Sequence, residues 1–320
     1  MHGSPREAGT WRDYVSLARP SHWVKHIFVL PGIVLAVLLL DRDLEGLAVP
    51  ILLGLLSAAC IASANYVLNE WLDARSDAFH PTKASRPAVA KQLSRGIVVL
   101  EYFALAVVGI ALAYAVSTLL AIVAGLFLAS GWIYNIPPIR TKDVAYLDVL
   151  TESLNNPIRL TLGWVMVDPT TLPPGSLLGA FWMAGAFLMA IKRLAELRTV
   201  GASGLNLYRV SFRHYSQTSL LISALEYSLL TAFFVAVFFV KYRIEYILAL
   251  PALAAVFGAY LSVGLDEESA AQAPERLLGE PRLLVTITLL VVALVVLTWV
   301  DLPVLEQLTS PHYIELPFGP

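Results

Sequence analysis

Sulfur and charge are what this chain of 320 residues has least of. Its one cysteine, Cys60, sits inside an apolar run, which excludes an intrachain disulfide and any cysteine-built metal centre; a small buried hydrophobe is its natural role. Charged residues are 14% of the chain against 58% hydrophobic ones, and mean hydropathy is +0.70. No soluble domain has a core large enough to hide that much apolar surface, so the composition describes a polytopic, all-α membrane protein. The net charge of -2 says nothing about partners, because the placement of the charges carries the signal. Met1 to Arg19 mixes acidic and basic groups ahead of any apolar segment, unlike a cleaved secretory signal. Residues 1–18 read as a short cytoplasmic segment with an interfacial helix around Trp11 to Leu17. With no soluble domain, low-complexity tract or strong internal repeat visible, residues 1–320 read as one transmembrane domain.

Uncharged runs locate the spans, since about 20 apolar residues cross the hydrocarbon as a helix. They predict nine transmembrane helices, near 23–40, 48–70, 95–116, 118–135, 148–167, 174–194, 216–240, 244–263 and 283–300. The uncharged stretch from Tyr102 to Ile139 is too long for one crossing and is broken near Ser117, where polarity rises briefly. With the N-terminus inside, 18 of the 22 Lys and Arg residues fall on the cytoplasmic side. Only Arg42, Lys241 and Arg243 fall opposite, and Arg159 lies within a span. This asymmetry predicts an inside N-terminus, an outside C-terminus and cytoplasmic loops that carry the charged motifs.

The densest of those motifs follows the second apolar run: Asn69-Glu70-Trp71-Leu72-Asp73, then Asp77, His80-Pro81, Lys83 and Arg86-Pro87. At 3.6 residues per turn Asn69, Asp73 and Asp77 share a helical stripe with Glu70 beside them. Three carboxylates gathered with an amide repel one another unless a cation is supplied. Oxygen-only ligands suit Mg²⁺, which binds through a few carboxylates plus substrate phosphate. A solvated helix end is the bland alternative, and the lack of basic residues on that face argues against it. Lys83 and Arg86 are placed to hold the remaining phosphate charge, and His80 reads as a structural loop residue.

Four further groups stand out. Asp148, Glu152, Asn155, Asn156, Pro157 and Arg159 put ionisable groups at membrane depth, which marks either a site or a Glu152–Arg159 structural pair two turns apart. Pro157 predicts a kink there that frees backbone carbonyls. Lys192-Arg193-x-x-Glu196 ends the sixth span; a headgroup anchor explains the two cations but not Glu196. Tyr134, Arg140 and Lys142 flank Pro137-Pro138 and read as positive-inside residues on a turn or as a phosphate clamp. Arg19, His22, Trp23 and Lys25 suit an interfacial anchor. Glu226, in the seventh span, has no partner suggested by sequence.

Taken together, the Asn-first acidic motif on the second span and the His80-Pro81-x-Lys83-x-x-Arg86-Pro87 that follows resemble the UbiA superfamily of intramembrane prenyltransferases over nearly the whole chain. The resemblance implies a nine-helix bundle with cytoplasmic active-site loops in a bacterial-type plasma membrane, and Mg²⁺ held by Asn69, Glu70, Asp73 and Asp77. Members that use isoprenyl diphosphates carry a second aspartate-rich motif on the sixth helix, where this chain has Lys192-Arg193-x-x-Glu196. That substitution, with Arg19-Pro20-x-x-Trp23-Val24-Lys25, Asp148 and Arg159, is similar to a phosphoribosyltransferase branch of the family. Its donor is phosphoribosyl pyrophosphate and its acceptor a polyprenyl phosphate lipid. Glu70 stands where the family usually has Asp, and Tyr134-x-x-Pro-Pro-x-Arg-x-Lys looks more like the chlorophyll- and quinone-type prenyltransferases.

The resemblance implies catalysis by Asp73, Asp77, Glu70 and Lys192. It implies substrate binding by Lys25, Lys83, Arg86, Tyr134, Arg140, Lys142, Asp148, Arg159, Arg193 and Glu196. Transfer of an isoprenyl chain to an aromatic or other small acceptor is the alternative on the same fold. A transporter is the third reading, disfavoured because the charge concentrates at one face rather than at the midplane. No nucleic-acid partner is expected.

Overall fold

The computed structural model describes residues 7–79, 83–208, 210–266 and 279–309. Among these residues the chain is helical throughout, apart from one isolated bridge between Ala8 and Gln92. The α-helices in order are α1 (Trp11–Leu17), α2 (Leu30–Leu40), α3 (Ala48–Asp77), α4 (Pro87–Ala90), α5 (Arg95–Val116), α6 (Thr118–Asn135), α7 (Leu147–Ser153) and α8 (Asn155–Val167). They are followed by α9 (Gly175–Tyr208), α10 (Gln217–Tyr242), α11 (Leu250–Leu265), α12 (Pro281–Trp299) and α13 (Pro303–Thr309). Short 3₁₀ turns at Pro20–Phe28, Lys83–Ser85, Thr141–Asp143, Val210–His214 and Ile244–Ala249 join several of them.

The break near Ser117 is where the sequence puts it. Ser117 has an extended backbone and its hydroxyl accepts from the Leu120 amide at 3.0 Å, capping α6 while α5 ends at Val116. The count of nine spans is not reached. Among the described residues seven helices are long and apolar enough to cross a membrane, or eight if Trp11–Trp23 and His26–Leu40, bent by 41°, form one span. The segment expected as one span over 148–167 is two shorter helices meeting at Leu154. Pro157 accounts for this: it has no amide to donate to the Ser153 carbonyl four residues back, and its ring crowds that carbonyl.

Two apolar cores organise the bundle. One gathers α2, α3, α5, α6 and α8 around Ala58, Ile61, Val123, Phe127 and Trp164, and the other gathers α7, α9, α10 and α11 around Phe187, Ile191, Leu194 and Tyr260. Large side chains such as Leu100, Phe103 and Val107 on α5, or Val285, Leu289 and Val292 on α12, stay exposed, as lipid-facing helices require. α3 and α9 are the longest helices, at 30 and 34 residues. At 1.5 Å per residue they measure about 45 and 51 Å, well beyond a hydrocarbon layer of about 30 Å. Each runs apolar at its start and carries its charged motif beyond that apolar stretch, so the motifs stand at the edge of the bundle rather than inside the lipid.

Candidate functional site

The acidic stripe of α3 is met by basic side chains from segments far away in sequence. Glu70 is 2% exposed, and its Oε2 accepts from Arg19 Nη2 at 2.6 Å and Nε at 3.1 Å. Asp73 accepts from Arg140 Nη2 at 3.1 Å and from Lys142 Nζ. Asp77, 3% exposed, accepts from Arg86 Nη1. Asn69 donates to the Asn135 side-chain carbonyl at 2.6 Å, which also accepts from Lys142 at 3.0 Å. The sequence reading of an acidic face with no basic counterpart holds only within α3 itself. Among the described residues no three His, Cys, Asp or Glu side chains gather closely enough to hold a metal ion, since each carboxylate turns to its own basic partner. Glu70 Oε1 is buried with no hydrogen-bond partner.

The backbone is strained where these cations are delivered. Arg19, Arg140 and Tyr146 have φ of 48°, 23° and 67°, in the region L-residues with side chains avoid. Such outliers persist only where the surroundings over-determine them, and they cluster at functional sites. Arg140 follows the cis Pro137-Pro138 bond; its guanidinium spans the Asn135 carbonyl at 3.0 Å, Asp143 at 2.8 Å and Asp73.

Opposite the stripe, α9 supplies a second charged knot. Arg193 is 1% exposed, and all its donor nitrogens are taken up by protein groups. Nε bonds Asp148 at 3.0 Å, Nη1 bonds Glu196 at 3.1 Å, and Nη2 bonds Glu152 at 2.6 Å and the Tyr134 hydroxyl at 3.3 Å. Tyr134 donates to Glu152 at 2.7 Å. Asp148, fully buried, also accepts from Ser211 at 3.3 Å and from Tyr215. Burial and the Asp148 charge hold the Tyr215 hydroxyl well above its ordinary pKa, so it stays protonated as a donor.

These contacts bear on two sequence expectations. Glu152 forms an ion pair with Arg193 across α7 and α9, and it also lies within electrostatic reach of Arg159. Each nitrogen of Arg193 bonds a carboxylate, which ties the guanidinium into the wall of the site. Arg159 lies with its guanidinium carbon 5.2 Å from the Phe127 ring centre and its Nε buried without a partner.

Lys83 stands between the two knots, within electrostatic reach of Asp77 on one side and Glu196 and Lys192 on the other. Desolvation pushes its amine down to about 8; Lys192 and Arg86 act the same way and Glu196 and Asp77 oppose. The structure thus brings Asn69, Glu70, Asp73, Asp77, Arg86, Arg140 and Lys142 together on one side. It brings Tyr134, Asp148, Arg193 and Glu196 together on the other, with Lys83 between. Lys25 lies outside the residues whose side chains are described, as do His80 and Pro81.

Arg19, Asn135, Tyr215 and Ser211 joined these networks without having been singled out for them. Arg19 could have been found, since a cation before the first span had to meet some carboxylate of the stripe. Asn135, an amide at the very end of an apolar helix, carried a weaker signal, and Ser211 and Tyr215 carried none.

Residues 28–279 match the sequence model of the UbiA prenyltransferase family. The chain belongs to this family. It is therefore a transferase of an integral membrane family. Two relatives are decaprenyl-phosphate phosphoribosyltransferase of Mycolicibacterium smegmatis, 28% identical over 207 residues, and nodulation protein NoeC of Azorhizobium caulinodans, 30% identical over 193 residues. The matches cover 64% and 60% of this chain, and the chain spans 63% and 59% of those relatives' own lengths.

Among solved structures, a UbiA homolog from Archaeoglobus fulgidus bound to GPP and Mg²⁺ superimposes with a TM-score of 0.68 at 20% identity. The superposition covers 89% of this chain and 99% of that one. A digeranylgeranylglyceryl phosphate synthase superimposes with a TM-score of 0.58 at 13% identity, covering 90% and 94%. These likenesses establish the UbiA fold.

Proposed function

We propose that this UbiA-family transferase moves a 5-phosphoribosyl group from phosphoribosyl pyrophosphate to a polyprenyl phosphate, releasing pyrophosphate at the cytoplasmic face. The observation that carries the reading is the knot that Arg193 of α9 ties between α7 and α9. Its three carboxylates, Asp148, Glu152 and Glu196, are held by the buried guanidinium of Arg193. One acidic stripe, on α3, is then left for a cation, with basic side chains around it. A relative that is a phosphoribosyltransferase agrees with this.

The donor set fits Mg²⁺: Asn69, Asp73 and Asp77 share a face of α3, and the unpartnered, buried Glu70 Oε1 is a carboxylate oxygen awaiting a cation or donor. Mg²⁺ bound there would supply positive charge to the departing pyrophosphate. In the reaction the bond from the anomeric carbon to the pyrophosphate oxygen breaks, its electron pair leaving with pyrophosphate. An oxygen of the acceptor phosphate forms the new bond to that carbon. Positive charge grows on the ribosyl ring and negative charge on the leaving group, so preorganised cations do most of the work.

Lys83, Arg86, Arg140, Lys142 and Lys192 supply them. When the diphosphate enters, Arg86, Arg140 and Lys142 exchange Asp77 and Asp73 for phosphate oxygens, which releases both aspartates. The acceptor phosphate is already anionic and needs no general base. Arg193 and Tyr134 position Glu152 and Glu196 and so shape the wall behind Lys83.

Purified protein incubated with Mg²⁺, phosphoribosyl pyrophosphate labelled in the ribose and a polyprenyl phosphate should yield labelled lipid, and Asp73→Asn should abolish it. An unlabelled lipid fraction, together with turnover of geranylgeranyl diphosphate onto an aromatic acceptor, would overturn the assignment in favour of prenyl transfer.

A further inference from the structure

Glu226 is a carboxylate on a helix that faces lipid. It lies nine residues into α10, about 14 Å from the start of the helix at Gln217. Its side chain is exposed, and among the described residues it makes neither a hydrogen bond nor an ion pair. Its neighbours Leu225, Leu229 and Phe233 are exposed as well, as lipid-facing side chains are. An ionisable group in such a place is costly unless something compensates it, and by default it marks a site.

A second observation lies beside it. Ser219, Ile222, Ser223, Glu226 and Tyr227 share one face of α10, and with Tyr146, at the entry to α7, they line a cavity of about 410 Å³. Tyr227 is 8% exposed, yet its hydroxyl has no hydrogen-bond partner among the described residues; it lies within electrostatic reach of Glu226 and Tyr146. The Tyr146 backbone amide donates to the Tyr215 hydroxyl at 2.6 Å, and that hydroxyl donates to Asp148, so the cavity backs onto the Arg193 knot.

The lining is rich in acceptors. Ser223 Oγ already donates to the Ser219 carbonyl at 2.9 Å and Ser219 Oγ to that of Ser216 at 3.0 Å, so both hydroxyls are left to accept. Glu226 adds two acceptor oxygens and a negative charge, and the tyrosine hydroxyls accept or donate. A phosphate or carboxylate would meet a like charge there. A neutral alcohol offers one donor and leaves Glu226 uncompensated, and a quaternary ammonium brings charge but no donor. A primary ammonium brings a positive charge and three N–H donors with no acceptor, which complements this set.

We propose that this cavity is a second ligand site, apart from the acidic stripe, that binds a primary ammonium, with Glu226 as counter-ion and Ser223 and Tyr227 accepting its hydrogen bonds. An aminophospholipid head and a small soluble amine present the same group. The inference does not depend on which group the enzyme transfers.

The test is calorimetric titration of the full-length protein, purified in detergent, without Mg²⁺ or donor. Dodecylammonium should bind about tenfold more tightly to the wild type than to Glu226→Gln, as expected for a charge-assisted hydrogen-bonded head. Tyr227→Phe should weaken it by less, and dodecanol should bind the wild type and both variants alike. Dodecylammonium binding equally to wild type and Glu226→Gln overturns the site; if that variant does not fold, undiminished binding to Tyr227→Phe overturns it. An equal tenfold dependence on Glu226 for dodecyltrimethylammonium overturns the choice of a primary amine.

Lipid nanodiscs then separate the two sources of the amine. A higher thermal midpoint in phosphatidylethanolamine than in phosphatidylcholine, lost in Glu226→Gln, assigns the lipid head. A rise on adding butylammonium in phosphatidylcholine, lost in the same variant, assigns a soluble amine. The absence of both rises overturns the site.

Discussion

Arg193 shows what one residue does when three acids meet it away from water. Asp148 is fully buried, Glu196 is 5% exposed, and both meet one guanidinium whose planar fork reaches three carboxylates at once. A buried pair stabilises little by comparison with well-packed apolar groups, yet removing one partner alone is severe because the other charges remain. Arg193→Met is therefore expected to destabilise the protein by about 3–5 kcal/mol, with Arg193→Lys intermediate because an ammonium cannot span all three acids. Thermal unfolding in detergent, followed by tryptophan fluorescence, measures this. A midpoint unchanged in Arg193→Met would show that the acids are neutralised by some other cation. The functional reading is sharpened too: a residue expected to hold substrate is the one that holds the wall.

At the scale of the elements, what could be read from sequence was what neighbouring residues determine. The stripe of Asn69, Asp73 and Asp77, the cap at Ser117 and the apolar extents of α3, α5, α6 and α10 all follow from local periodicity and local polarity. The partners did not, because they join residues such as Arg19 and Glu70, 51 apart, or Arg193 and Asp148, 45 apart. Tertiary closure decides such pairs, and several carboxylates compete for each cation. The Leu154 break fell between the two, since Pro157 announced a kink but not that Glu152 would swing to Arg193.

The crossing of α2 and α8 was not legible either, and it has a consequence of its own. A Cβ at Gly32 would stand 2.0 Å from the Leu160 carbonyl oxygen, and one at Gly163 would stand 2.1 Å from that of Val29. Backbone cannot yield as a side chain can, so the helices touch only because both positions are glycine. Gly163→Ala must force them apart, at an expected cost of about 1–3 kcal/mol for overpacking. Thermal unfolding in detergent should show the corresponding fall in midpoint. An unaltered midpoint would show that the crossing is looser than the backbone distances indicate.

For the molecule as a whole, the distribution of charge ties the site to one side of the membrane. Twelve of the 22 Lys and Arg residues fall in or beside the segments that carry the acidic stripe, the Pro137-Pro138 turn and the end of α9, and only Arg42, Lys241 and Arg243 fall on the opposite loops. A soluble, highly charged diphosphate donor could reach such a site only from that side, so orientation and substrate supply are one question. The single cysteine makes the question answerable. Cys60 is half-buried within α3, so Cys60→Ala leaves a background without thiols into which single cysteines can be placed. Asp43, exposed in the turn between α2 and α3, and Ser85, exposed after the stripe, lie at opposite ends of α3. In intact cells a membrane-impermeant maleimide should label Asp43→Cys and spare Ser85→Cys, and in inverted membrane vesicles the pattern should reverse. Labelling of Ser85→Cys in intact cells would place the acidic stripe outside, where a cytosolic phosphoribosyl donor has no access, and the proposed reaction would fail with the orientation.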